Sequence, residues 1–272
     1  MSGNAFYFDQ ETRTQEAGEM RYTGRLSSAW NIGDHPNGGY MVTVVLNAIA
    51  RVVSHPHPVS VTTHFLRPGA PEVPYEIDVH VIRIGRTVSH VRAAFSQQGK
   101  ARIEVLAAFA DLSSKVGIDA QITLPAPDLP PPEHCSARSA QAQNLELPIT
   151  QRTDVRLHPD LAVPGLGRRA QIAGWIRFVD ERPPDTHALV LFADAFPPSP
   201  LSLLGPIGWV PTLELTVNVI RRPAPGWVCA QFTTDELDHG RMIETGALWD
   251  STGALVAQSR QLGLVMNQAE KK

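Results

Sequence analysis

Three polar residues in the C-terminal half of this 272-residue chain could carry chemistry together: the carboxylate of Asp194, the hydroxyl of Thr212 and the carboxamide of Gln261. Asp194 has an awkward address. It follows the apolar run Ala188-Leu189-Val190-Leu191-Phe192-Ala193, which Phe196-Pro197-Pro198 terminates, so an acid stands at the negative end of a helix macrodipole. Burying it there unpaired would cost several kcal/mol, and a buried Asp194 therefore needs a compensating partner. Taken singly, each residue also has a bland reading: Asp194 as an exposed acid on a surface turn, Thr212 as a strand-initiating threonine, Gln261 as an outward-facing strand residue.

An internal repeat groups the three. Val59 to Arg67 lines up with Leu213 to Arg221 at an offset of 154 (213 minus 59), Gly85-Arg86 answers Gly240-Arg241 at 155, and Gly99 answers Gly253 at 154. A match sustained over this span means two copies of one small fold. The copies differ where chemistry could reside. Pro58 stands where Thr212 stands, Ala107 where Gln261 stands, and Asn47 holds the helix position matched to Asp194. All three polar groups are confined to the second copy, which points to one site rather than two.

Each copy must place these residues with the same elements. Gly38-Gly39 opens a stretch, Tyr40 to Ala50, that is apolar on nearly every face, as a helix enclosed by other structure would be. Alternating strands follow: one around Val59 to Phe65, one around Tyr75 to Val81, then Val88 to Ser96 and Ala101 to Ala110 joined at Gly99. The second copy repeats the order, with a strand over 171–179, a helix over 186–195 and strands near 212–221, 227–234, 242–250 and 254–266. Between them the run Pro125-Ala126-Pro127-Asp128-Leu129-Pro130-Pro131-Pro132 reads as a semi-rigid connector, since proline removes a donor and fixes φ. The expected domains are residues 1–115 and 151–272, with the connector at 116–150. The fold class is α+β, two antiparallel sheets each wrapped around a central helix.

The wider composition narrows the function classes. Hydrophobic residues make up 43% and charged residues 19%, a globular balance, and a net charge of −3 shows no basic face for nucleic acid. No apolar run is long enough to span a bilayer. The N-terminal Met1 to Phe6 lacks the charged and apolar regions of a signal peptide, which makes the cytoplasm the expected compartment. Cys135 and Cys229 read as two reduced structural thiols. Pro164 to Ala170 matches G-x-G-x-x-A, but strand-like sequence follows it where a dinucleotide motif requires a helix. His55-Pro56-His57 lacks a third ligand of obvious spacing, so neither a metal nor a cofactor is expected.

Taken together, Asn37-Gly38-Gly39-Tyr40, Thr63-His64-Phe65-Leu66-Arg67-Pro68, Gly85-Arg86-Thr87, Ala193-Asp194-Ala195 and Val256 to Gln261 resemble acyl-CoA thioesterase II and its relatives, double hotdog proteins, over roughly residues 20–267. The resemblance implies hydrolysis of a fatty or related acyl-CoA to acid and coenzyme A, with Asp194, Thr212 and Gln261 holding the attacking water. Such a mechanism needs donors for an oxyanion. The helix start at Asn37, Gly38 and Gly39 is the candidate substrate-binding element, although glycines there also let a helix pack closely against another backbone. Arg67, Arg86, Arg221, Arg222 and Arg241 could meet coenzyme A phosphates. The bulky run around Phe196, Leu203, Leu204, Ile207, Trp209 and Val210 could line an acyl tunnel or a subunit contact in a homo-oligomer. Two alternatives stand beside hydrolysis: a non-catalytic acyl-CoA-binding protein, and a hotdog hydratase or dehydratase pairing Asp194 with His187.

Overall fold

The computed structural model describes residues 6–266; residues 1–5 and 267–272, which include most of the N-terminal stretch read above for a signal peptide and both outer domain limits, lie outside the described residues. The first half runs α1 (Tyr7–Glu11), β1 (Gln15–Gly18), β2 (Arg21–Arg25), β3 (Asn31–Ile32), β4 (His35–Pro36), α2 (Gly38–Ile49), β5 (His57–Phe65), β6 (Pro74–Ile84), β7 (Val88–Gln97) and β8 (Lys100–Ala110). After the proline-rich stretch come β9 (Ser136–Ala137), α3 (Ala140–Gln143), β10 (Thr153–Leu157), α4 (Pro159–Ala162), β11 (Gln171–Phe178), α5 (Thr186–Phe192), α6 (Pro200–Leu204), β12 (Thr212–Val219), β13 (Val228–Asp238), β14 (Arg241–Trp249) and β15 (Leu255–Leu264).

The expectation of two separate sheets is corrected. Thirteen strands form one continuous sheet in the order β1-β2-β6-β7-β8-β5-β12-β15-β14-β13-β11-β10-β9, and β3-β4 form a small ribbon. The cause is edge pairing: β5 and β12 each end their half's strand order and pair antiparallel, satisfying backbone groups that separate sheets would leave open. Their register reproduces the repeat. Thr62 faces Thr216, its counterpart at 154, with hydroxyls 2.9 Å apart, so a pseudo-twofold axis passes between them. Repeat-matched bonds flank the axis, with Arg67 Nη1 donating to the Ala101 carbonyl at 3.0 Å and Arg221 Nη1 to the Leu255 carbonyl at 3.1 Å. These two of the five singled-out arginines thus have a shared structural role.

The two main helices lie against each other on one face of this sheet. α2 is buried along nearly its whole length, which is why its sequence shows no polar stripe. Asn37 caps it, accepting from the Tyr40 amide at 2.9 Å, and Tyr40 stacks on Trp30 at 5.1 Å between centroids. α5 is shorter than the expected 186–195, ending at Phe192. The helices run antiparallel, so the start of α2 meets the end of α5. Glycine makes that approach possible: a Cβ on Gly39 would stand 3.0 Å from the Leu191 backbone and 3.0 Å from the Asp194 Cβ.

Candidate active site

Asp194 sits one residue beyond the α5 cap, and its compensation comes from the helix it faces. Its Oδ2 accepts from the Gly39 amide at 2.8 Å and from the Asn37 side-chain amide at 2.9 Å, while that same Asn37 nitrogen donates to the Asp194 carbonyl at 2.8 Å. The carboxylate therefore lies at the negative end of one helix and the positive end of another, and the second, with its directed donors, holds it. Burial nevertheless dominates. It pushes the Asp194 carboxyl up to about 6, against the pull of the Gly39 amide, Asn37 and the Arg138 guanidinium. The sequence marked Asn37, Gly38 and Gly39 as donors for an oxyanion; in this structure the Gly39 amide and the Asn37 side chain are engaged by Asp194 itself.

Thr212 and Gln261 come together on the sheet. A β-bulge between Thr212 and Glu214 offsets the register with β15, and the Gln261 side-chain amide donates to Thr212 Oγ1. The first half has a bulge at the matched place, between Pro58 and Ser60, without the hydroxyl. A bulge re-aims side chains at a strand end, and here it brings a strand-initiating threonine onto a neighbouring strand's amide. Since Thr212 accepts from Gln261, its own proton is free to be donated elsewhere.

Asn37, Gly38, Asp194, Thr212 and Gln261 all line one cavity of about 250 Å³. Its two ends differ. Leu66 (48% exposed) and Leu213 (36%) border it near solvent, whereas Phe232 (2%), Met242 (1%) and Glu244 (5%) form its floor. Of the bulky residues noted in the sequence, Phe196, Trp209 and Val210 line the cavity, Trp209 packing on His35 at 5.4 Å between ring centroids; Leu203 and Leu204 are exposed instead. Arg67 also borders it, while Arg222 lies on another cavity and Arg241 pairs with Asp238 at 3.7 Å.

Two residues on this cavity were not anticipated. Glu244 lies directly across from Gln261 on the neighbouring strand, and its Oε2 accepts from the Ser199 amide at 2.7 Å. Burial pushes it up to about 7, with Ser199 pulling it down and the nearby Asp194 charge pushing it further up. The other is Arg138, from the stretch expected to be a connector. It is 8% exposed, donating from Nε to Gln143 Oε1 at 2.6 Å and from Nη1 to the Ala195 carbonyl at 2.5 Å. A lone arginine among small residues has no periodicity to reveal it. The one available clue was that a buried Asp194 needs a compensating partner.

The matched place in the first half is built differently. Asn47, near the end of α2, donates from Nδ2 to Thr12 Oγ1 at 2.7 Å, so its Oδ1 must accept from His187 Nδ1 at 2.7 Å. Burial pushes the His187 ring down, which keeps it neutral near pH 7. His187 thus contacts Asn47 at the start of α5 and lines a second cavity, away from Asp194, so the acid–base pair of the hydratase alternative is not formed. His55 bonds Ser89 at 2.8 Å and His57 approaches Thr186 at 3.2 Å. Among the described residues no group of three or more His, Cys, Asp or Glu could hold a metal ion, and no helix is long and apolar enough to cross a membrane.

The chain is similar to known proteins along most of its length. Residues 26–113 match the family model of the acyl-CoA thioesterase N-terminal domain and residues 132–265 that of the C-terminal domain. The chain superimposes on a protein from Thermobifida fusca described as a candidate thioesterase II, with a TM-score of 0.86 at 31% identity over 97% of this chain and 99% of that one. The acyl-CoA thioesterase II TesB2 of Mycobacterium marinum gives 0.73 at 23% identity over 96% and 99%, a likeness of fold. A hotdog-fold protein of unknown function from Alicyclobacillus acidocaldarius gives 0.83 at 24% over 97% and 99%, and an uncharacterized Mycobacterium tuberculosis protein is 24% identical over 91% of each chain.

Proposed function

We infer the working parts of this enzyme from the premise that the chain belongs to the acyl-CoA thioesterase family, through both its N-terminal and its C-terminal half. It is a hotdog-fold thioester hydrolase that converts an acyl-CoA to free acid and coenzyme A. In the proposed reaction Asp194 is the general base, Thr212 and Gln261 hold the water, and the water attacks the thioester carbon without a covalent enzyme intermediate. The observation that carries this reading is the convergence of a donor-held, buried carboxylate and a bonded Thr–Gln pair on one cavity.

The donors at the start of α2 serve two moments of the cycle. Ionised, Asp194 holds the Gly39 amide and Asn37. Once it has taken the water proton its claim on those donors weakens, just as negative charge appears on the former carbonyl oxygen beside the positive end of α2. Asn37, Gly38 and Gly39 then form the substrate-facing wall. Collapse of the tetrahedral intermediate breaks the C–S bond, and the Asp194 proton passes to the departing thiolate. The acyl chain occupies the apolar floor at Phe196, Phe232 and Met242; the coenzyme A arm leaves by the mouth, where Arg67 can meet a phosphate.

The proposal also covers the division into halves at 1–115 and 151–272 with the segment 116–150 between them, a cytoplasmic location, and a homo-oligomer formed through exposed apolar residues such as Leu106 and Ile220. Its test is thiol release from short, medium and long acyl-CoA by purified wild type and Asp194→Asn. Loss of a general base should lower kcat by about 10²- to 10⁴-fold; equal rates on every chain length would refute the assignment of Asp194.

A further inference from the structure

The segment that enters the second half from the proline-rich stretch does more than join domains. Residues 136–143 place Arg138 on the wall of the same cavity as Asp194, with more than nine-tenths of its surface covered. Two of its contacts are fixed: Nε to Gln143 Oε1, itself buried, and Nη1 to the carbonyl of Ala195, the residue after the base. Among the described residues its side-chain hydrogen bonds are those of Nε and Nη1, and the residue lines the cavity that holds Asp194. A buried guanidinium is costly unless it meets an acid. The acids on this cavity are Asp194 and Glu244, and the Asp194 charge favours the charged form of Arg138 against its burial.

The groups around Asp194 are few enough to assign. The start of α2 brings uncharged donors, Asn37, Gly38 and Gly39; β14 brings Glu244; the β4 ribbon and the residue after Leu66 bring His35 and Arg67 to the same cavity; the segment 136–143 brings Arg138. Of these, Arg138 is the buried permanent cation, and Glu244 is the second buried acid, whose carboxyl the Asp194 charge helps push up. Its bond to the Ala195 carbonyl also pins the turn after α5 that carries Asp194.

We propose that Arg138 is a positioning residue for Asp194: its guanidinium pins the turn after α5 through the Ala195 carbonyl and favours the charged form of the neighbouring carboxylate, which makes segment 136–143 part of the working site. This rests on the reading of Asp194 as the base. Arg138 shares the cavity with Asp194 and bonds the next residue's carbonyl rather than the carboxylate itself, so the low end of the roughly one-to-three-unit effect of a nearby opposite charge applies, and its removal should move the base upward by about one pH unit.

The test is the pH profile of kcat/KM for butyryl-CoA and decanoyl-CoA from pH 5 to 9 in wild type, Arg138→Met, Arg138→Gln, Arg138→Lys and Asp194→Asn. Arg138→Gln keeps a donor for the Ala195 carbonyl while removing the charge, so one uncharged variant remains if the methionine variant fails to fold. The expected result is an acid limb about one pH unit higher in the uncharged variants. At pH 6 this appears as a loss about fivefold greater than at pH 8, with KM little changed. Arg138→Lys should keep the limb near that of wild type even if its melting temperature falls. An unmoved limb in a folded, uncharged variant overturns the proposal and leaves Arg138 a structural pin. An Asp194→Asn enzyme as active as wild type overturns the reading beneath it instead.

Discussion

Replacing the base with its uncharged isostere should stabilise the protein, and by an amount that depends on pH in a stated direction. A carboxyl raised from the ordinary 3.8 to about 6 binds its proton more tightly folded than unfolded, so ionising it costs stability. That cost is absent below pH 3.8, accumulates as pH rises through 6, and is complete above about 7. At about 1.36 kcal/mol per pH unit the rise amounts to about 3 kcal/mol. Asp194→Asn cannot ionise, and its side-chain oxygen can still accept from Gly39. The variant should therefore exceed wild type by up to about 3 kcal/mol at pH 8, a gain of roughly 6 °C or more in melting temperature for a chain of this size, shrinking to near zero at pH 4. Two neighbours modify the figure in opposite senses. Arg138 loses a nearby opposite charge, which reduces the gain, and Glu244 is relieved of a nearby like charge, which adds to it. Thermal melts of both proteins at pH 4, 6 and 8 decide the matter. A variant no more stable than wild type at pH 8, or one whose advantage persists unchanged at pH 4, refutes the reasoning.

Other outcomes follow from the same geometry. The kcat/KM profile of wild type should rise with pH through about 6, as Asp194 loses its proton, in a stopped thiol assay. Thr212→Val and Gln261→Leu should each lower kcat by roughly ten- to a hundredfold; because one hydrogen bond joins the two, the double variant should lose less than the product of the single losses. Gly39→Ala should cost about 1–3 kcal/mol in urea unfolding, since its Cβ would press on the Leu191 backbone at 3.0 Å rather than on a flexible side-chain tip.

Much of the architecture could be read from sequence because period-two strands and a repeat offset are local signals. The strands from His57 to Ala110 and from Thr212 to Leu264 fall close to their expected places, and the offset of 154 reappears in the Thr62–Thr216 pairing. That the two halves share one sheet was not legible, because nothing in either sequence says which strand edges will meet. For the site, contrast between the copies brought out Asp194, Thr212 and Gln261, and the structure places all three on one cavity. Arg138 and Glu244 escaped for opposite reasons. Arg138 lies in a segment without periodicity, and Glu244, although it shares the inward face of β14 with Met242 and Gly246, carries no signal that sets it apart from other strand polar residues until Ser199 is seen to bond it. The donors at Gly39 were visible as donors, but their partner, an acid 155 residues away, depends on how α2 and α5 pack.

The single working site is tested most directly by initial rates of thiol release with one acyl-CoA substrate for wild type, Asp194→Asn and Asn47→Asp. Hydrolysis confined to the cavity that holds the polar residues of the second half requires that Asp194→Asn lose about 10²-fold or more while Asn47→Asp stays within about twofold of wild type, because Pro58 and Ala107 offer no partner for a second acid. Comparable losses in both variants, or no loss in Asp194→Asn, would contradict it.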